Sequence, residues 1–356
     1  VVNNFLHSLF KQVDVFLRGK QVTQASSTYA YRAYLETLLN YGPAAKDSQL
    51  ATALYYKDTA GNMDAADPTL TDANDPNLGL RARYVFSKLS GIIEMTGPLF
   101  SDIFMSERLL LSYVDLKVVL NRSSNAFCLM ASEDNSDFRV KLTDAYLKVR
   151  KVKVNPSIAV AHEIALKKGP AIYPIRRVEC KSFTVPGGNP SLRKDNLFNG
   201  LVPRALVFGL VDGDAFNGNP KKNPFNFKHF SVSSIGITVN GEEMPFKPMK
   251  LAFGNAPQYI EAYATMFSGT GKMYHNTGND ITRSEFPKGY AVYAFDLTPD
   301  MCGASGHFNV IQKGNLAIDI QFSVAPAAAA SLVCYGEFAN TVHIDSERNV
   351  IYDYSG

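Results

Sequence analysis

Short apolar stretches, some alternating with polar residues at a period of two and some continuous, recur along the second half of the chain. The alternation predicts a strand over Ile172–Pro186, and Arg204–Asp212, Val232–Asn240, Tyr290–Leu297, Leu316–Val324, Ser331–Phe338 and Val350–Tyr354 also read as strands, with Gly, Pro and Asn turns between them. In the first half, Val13, Val15 and Leu17 mark a strand over Gln12–Arg18, turned by Arg18-Gly19-Lys20. Strand-like stretches follow near Gly91–Met95, Val114–Asn121, Phe127–Ala131 and Phe138–Val154. Helical spacing is rarer. Tyr31, Leu35 and Leu38 share one side of a helix over Tyr29–Tyr41 that Gly42-Pro43 stops. Asn155-Pro156 is an N-cap followed by a first-turn proline, and that helix runs through Lys167-Lys168 to Gly169-Pro170. A short helix is expected over Ser191–Phe198, and another over Pro257–Ser268 ended by Gly269. Residues 57–80, with Asp64-Ala65-Ala66-Asp67-Pro68 and Asp72-Ala73-Asn74-Asp75-Pro76, read as an exposed excursion.

Two stretches repeat the same order of events. Val13-Asp14-Val15-Phe16-Leu17-Arg18-Gly19-Lys20 precedes the helix containing Tyr31-Arg32-Ala33-Tyr34-Leu35. Ile235-Gly236-Ile237-Thr238-Val239-Asn240-Gly241-Glu242 precedes the one containing Tyr259-Ile260-Glu261-Ala262-Tyr263. Leu116-Lys117-Val118-Val119-Leu120 is echoed by Leu316-Ala317-Ile318-Asp319-Ile320. Many short strands with regular turns point to a β-sandwich or jelly roll, and the repeat points to two of them in tandem. A length of 356 residues suits two cores better than one.

Composition narrows the function. Aromatics make up 12%, with 23 Phe, 18 Tyr and no Trp, which favours strands. The net charge of +3 gives no case for wrapping nucleic acid. Cys128, Cys180, Cys302 and Cys334 are far apart with no CxxC pair, so buried free thiols are expected rather than zinc or a disulfide framework. No apolar run approaches the ~20 residues that span a bilayer.

The chain resembles a known family. Asn3-Asn4-Phe5-Leu6-His7-Ser8-Leu9-Phe10 leading into Val13-Asp14-Val15 and Arg18-Gly19 is similar to the first jelly roll of capsid proteins of large and mid-size DNA viruses. Tyr56-Lys57-Asp58-Thr59-Ala60-Gly61, Tyr173-Pro174-Ile175-Arg176-Arg177, Asn223-Pro224-Phe225-Asn226-Phe227 and Ala294-Phe295-Asp296-Leu297-Thr298-Pro299 resemble the Polinton (Maverick) and adintovirus group. The resemblance implies a mainly β double jelly roll: two tandem eight-stranded sandwiches with short helices in loops. The first would occupy residues 1–154, a linker helix 155–171 and the second residues 172–356. It also implies a further upstream segment carrying the first strand of the first sandwich. The implied function is a major capsid protein, a structural protein and not an enzyme. It would form homotrimers that serve as pseudo-hexagonal capsomers of an icosahedral virus or virus-like transposon. The expected partners are further capsomers, penton and minor capsid proteins, with no specific nucleic-acid binding. The expected location is the virion capsid, after synthesis in the host cytoplasm or nucleus.

No catalytic, cofactor-binding or metal-binding residue is expected. His162-Glu163 lacks the second His of HExxH, since Leu166 takes its place. No GxSxG or GxxxxGK[ST] occurs. Ser268-Gly269-Thr270-Gly271-Lys272 follows a helix instead of opening one, which makes it a C-cap turn. Asp212-Gly213-Asp214-Ala215-Phe216-Asn217-Gly218 lacks the closing Glu of a calcium loop. Arg150-Lys151 with Lys153, and Arg176-Arg177 with Lys181, are basic stretches expected on a solvated face or against an acidic neighbour. Asn121-Arg122-Ser123 is a single chance-level glycosylation triplet. Two other readings remain open: a carbohydrate- or receptor-binding β-sandwich outside any shell, and a hydrolase with paired carboxylates in a cleft.

Overall fold

The period-two segments become strands where a neighbour completes the ladder. The computed structural model describes residues 1–69, 76–133, 137–244, 247–306 and 309–353. The strands are β1 (Phe10–Leu17), β2 (Lys20–Gln21), β3 (Leu116–Arg122), β4 (Ala171–Val185), β5 (Ser191–Lys194), β6 (Leu201–Val202), β7 (Ala205–Asp212), β8 (Phe227–Lys228), β9 (Val232–Val239), β10 (Glu242–Glu243), β11 (Met249–Lys250), β12 (Lys288–Gly289), β13 (Val292–Asp296), β14 (Gln312–Lys313), β15 (Leu316–Phe322), β16 (Ala330–Ile344) and β17 (Val350–Tyr352). The helices are α1 (Phe5–Ser8), α2 (Tyr29–Asn40), α3 (Pro43–Lys46), α4 (Leu78–Ser87), α5 (Asn125–Cys128), α6 (Pro156–Lys168), α7 (Gly213–Asn217) and α8 (Ile260–Ser268).

From β4 onward the topology is that of a complete jelly roll. One sheet has the order β4-β16-β7-β13 and the other β5-β15-β9-β11. Numbered along the chain, those eight strands give 1-8-3-6 and 2-7-4-5, the interleaving of two Greek keys. β16 is the spine. It pairs with β4 from Ala330↔Val185 to Ile344↔Ala171, and on its other edge with β7 and then β17. Residues Ala330 to Gly336 of this central strand are all buried. Apolar side chains from both sheets, among them Phe208, Leu332, Ile235 and Ile318, belong to one buried cluster.

Before Asn155 the strands among the described residues are β1, β2 and β3, in the order β2-β1-β3. This unit repeats β10-β9-β15 register for register. Leu17 faces Lys20 across its hairpin and Leu116 across the long ladder. Val239 likewise faces Glu242 and Leu316. Both hairpins turn on two residues with positive φ, Arg18 (46°) with Gly19 (79°) and Asn240 (55°) with Gly241 (89°). That is the type I′ geometry whose twist suits a tight hairpin, and it explains the glycine at the second position of each.

Several expectations are corrected by tertiary context. Ser191–Lys194 is strand β5 rather than helix, because it pairs with Gln321–Ile318 of β15. Phe127 belongs to helix α5, where the Ser124 hydroxyl accepts from the Phe127 amide. Residues 91–95 and 138–154 lie outside any ladder, since no strand is placed beside them. The 57–80 excursion is partly internal: Asp58 and Met63 are buried, and α4 begins at Leu78. Residues 70–75 and Tyr354 fall outside the described residues. Of the four cysteines three are buried and Cys302 is exposed.

Helix α2 joins the two parts of the chain. Of its residues only Arg32, Glu36 and Asn40 escape full burial. Tyr34 stacks on Phe225 at 4.3 Å, and Tyr31 on Phe216 at 5.3 Å with Phe127 at its edge. One continuous apolar cluster therefore runs across residue 155.

Candidate assembly surface

The segments examined for chemistry are accounted for by ordinary structure. Asp212 caps α7, and Lys222 Nζ sits 2.9 Å from Asp212 and 3.2 Å from Asp214, so a lysine ammonium already neutralises the carboxylates of this calcium-like loop. Hydrogen bonds from Lys222 hold the Asp212 carboxyl below its ordinary range against the opposing pull of burial. Gly269 closes α8, and a Cβ there would lie 2.4 Å from Ala294 O. Lys272 Nζ donates to Leu39 O at 2.6 Å. Glu163 on α6 pairs with Arg348. Arg176 is exposed, whereas Arg177 is buried against Glu179 and the Phe338 ring, so the two do not form one basic face. No cluster of three or more His, Cys, Asp or Glu able to hold a metal is found among the described residues.

Buried ion pairs, which sequence reasoning missed, lock the parts together. Arg83 and Asp58 pair at 2.7 Å with both side chains fully buried. Arg83 also donates to Tyr56 O at 2.7 Å and Val1 O at 3.0 Å, and Asp58 accepts from Asn223 Nδ2 at 3.0 Å. Tyr290, from far along the chain, donates to the Asp58 carbonyl at 2.6 Å. Arg32 reaches Asp102 at 2.7 Å and Glu36 at 2.9 Å beneath β4. Burial raises both carboxyls above their usual range, and Arg32 offsets only part of that. Lys46 donates to Leu38 O at 3.0 Å and to Asn279 O, capping the end of α2, and burial lowers its amine to about 7. A signal was available for one of these: Arg83 lies three residues after Leu80 on the inward stripe of α4, where a solvated arginine is not expected.

Large apolar side chains also remain unburied. Exposed large hydrophobics concentrate between Leu78 and Ile164, including Leu89 (95% exposed), Ile92 (89%) and Tyr113 (86%). Helix α6 buries only Leu166 while Ile158, Val160 and Ile164 face solvent. A helix with apolar residues around its circumference normally lies inside a structure, and exposed apolar side chains in such number are material for contact. This surface can bury area against another polypeptide. Among the described residues no helix is long and apolar enough to cross a membrane.

No family model matches the chain. An uncharacterized protein of Caenorhabditis elegans is 28% identical over 357 residues, covering 99% of this chain and 81% of that protein. Among solved structures, the Sputnik virophage cryo-EM structure aligns with 98% of this chain and 74% of that chain at a TM-score of 0.54 and 12% identity. The faustovirus major capsid protein aligns with 96% and 72% at 0.53 and 11% identity. The fold is mainly β and is that of double jelly-roll major capsid proteins.

Proposed function

We propose that this chain is a structural shell subunit, a major capsid protein that acts by self-association and carries out no catalysis. The observation that carries the reading is the fold match over almost the whole chain, 98% of it to the Sputnik virophage structure and 96% to the faustovirus major capsid protein. A complete jelly roll and a repeated three-strand unit with the same register support it. Two sandwiches, over residues 1–154 and 172–356 and joined by α6, would give six similar wedges per homotrimer, a pseudo-hexagonal capsomer able to tile an icosahedral shell. The exposed apolar surface between Leu78 and Ile164 supplies area for such contacts. Obligate interfaces of this kind bury more than ~2,000 Å². Capsomer neighbours, penton and minor capsid proteins would be the partners and the virion capsid the location. The motifs around Tyr56-Lys57-Asp58 and Asn223-Pro224-Phe225 favour the Polinton and adintovirus group within this class. Light scattering after size exclusion tests the proposal: a trimer mass is expected, and a monomer persisting at high concentration contradicts it.

A further inference from the structure

Strand β3 has β1 on one edge and no strand on the other among the described residues, whereas its counterpart β15 lies between β9 and β5. The consequence shows in the side chains. Leu316, Ile318 and Ile320 of β15 are buried to within 1%. Their counterparts Leu116 and Val118 are half-buried, and Leu120 is 39% exposed. An open edge with an incompletely covered face is a template for one more strand.

Residues 141–154 are placed to supply it. The segment starts at the far end of β3, where Arg122 Nη2 donates to Val140 O at 3.1 Å and Asn125 Oδ1 accepts from the Val140 amide at 3.3 Å. The helix that follows it is fixed near the other end. Past Asn155, Glu163 pairs with Arg348, whose Nε donates to Ser112 O at 3.0 Å. Arg18, next to the Leu17↔Leu116 pair, donates its amide to Asp115 O at 2.7 Å. The chain on one side of the segment is held at one end of β3, and helix α6 on its other side is anchored near the opposite end. At about 3.3 Å per residue the segment can match the ~23 Å of a seven-residue strand with chain to spare. Residues 141–154 are exposed and form no backbone–backbone hydrogen bond among the described residues.

We infer that residues 141–147 form a strap that closes on the free edge of β3 as a fourth antiparallel strand, in the place β5 takes on β15. With Val140 beside Arg122, the register sets Leu142 opposite Leu120 and Tyr146 opposite Leu116. Both fall on the face that β1 covers with Val13 and Leu17, and Asp144 is the charged residue between them. Closure removes an unpaired edge and shields Leu120, whether or not the chain builds a shell.

Two measurements test this. In a Cys302→Ser background, Leu120→Cys with Leu142→Cys is oxidised mildly. An intrachain disulfide, seen as a loss of two hydrogens without a dimer band, is expected. No disulfide, or a disulfide only between chains, overturns the strap. Hydrogen exchange on the unaltered chain covers the case in which that variant fails to fold. Amides of residues 141–147 should exchange at least about tenfold more slowly than free coil, and coil-like exchange overturns the inference.

Discussion

Removing the carboxylate of Asp58 should strand a guanidinium inside the protein. Arg83 and Asp58 are both fully buried at 2.7 Å, and the arginine's other partners are main-chain carbonyls, which do not neutralise it. Asp58→Ala also leaves Asn223 Nδ2 without its 3.0 Å acceptor. Breaking one partner out of a buried pair costs about 3–5 kcal/mol. The unpaired Asn223 donor adds about 1–3 kcal/mol where water cannot enter. The combined loss approaches the whole stability of many domains, about 5–15 kcal/mol. Replacing the pair by apolar residues of similar size, Asp58→Leu with Arg83→Met, removes the charge together with its partner and should recover most of the loss. Urea unfolding followed by tryptophan-independent probes, far-ultraviolet circular dichroism and tyrosine fluorescence, reads the midpoints of the three proteins. The expected order is unaltered chain, double variant, then Asp58→Ala well below. A single variant that unfolds within about 1 kcal/mol of the parent, or a double variant no better than the single, would refute the reasoning.

Phe225→Ala should cost about 3–5 kcal/mol by opening the stack with Tyr34, whereas Tyr34→Phe should be neutral or stabilising because that buried hydroxyl has no hydrogen-bond partner among the described residues; paired unfolding curves decide it. His7 is buried and burial lowers it from 6.5 to about 3, so the unfolded chain takes up a proton first; stability should fall by up to about 1.4 kcal/mol per pH unit below 6.5, and His7→Gln should flatten that slope. Gly19→Val and Gly241→Val should each cost at least about 1–2 kcal/mol at their positive φ, measured by thermal melts. In the native state a thiol reagent should label Cys302 and spare Cys128, Cys180 and Cys334, and labelling of all four without denaturant would contradict their burial.

The second half of the chain was legible because its strands are short apolar or alternating stretches and its turns carry glycine, proline or asparagine. Six of the eight jelly-roll strands follow from that pattern, and β16 simply runs further than the Ser331–Phe338 alternation shows. The two missed strands, β5 and β11, span four and two residues, too few for a period; pairing with β15 and β9 makes them strands. The repeat was legible because its hairpin needs Gly19 and Gly241, and the registers match residue for residue. The surface was the hard part. Burial of Asp58 and Arg83 and exposure of Ile158 and Val160 depend on what packs nearby, which composition does not encode. Residues 138–154 alternate like a strand, yet alternation alone supplies no partner.

Cryo-electron microscopy of the purified chain tests the central claim most directly. The account predicts trimers with a hexagonal outline and six similar towers of density, two from each subunit. Particles of a single 39.1 kDa chain, or an oligomer lacking threefold symmetry, would contradict it.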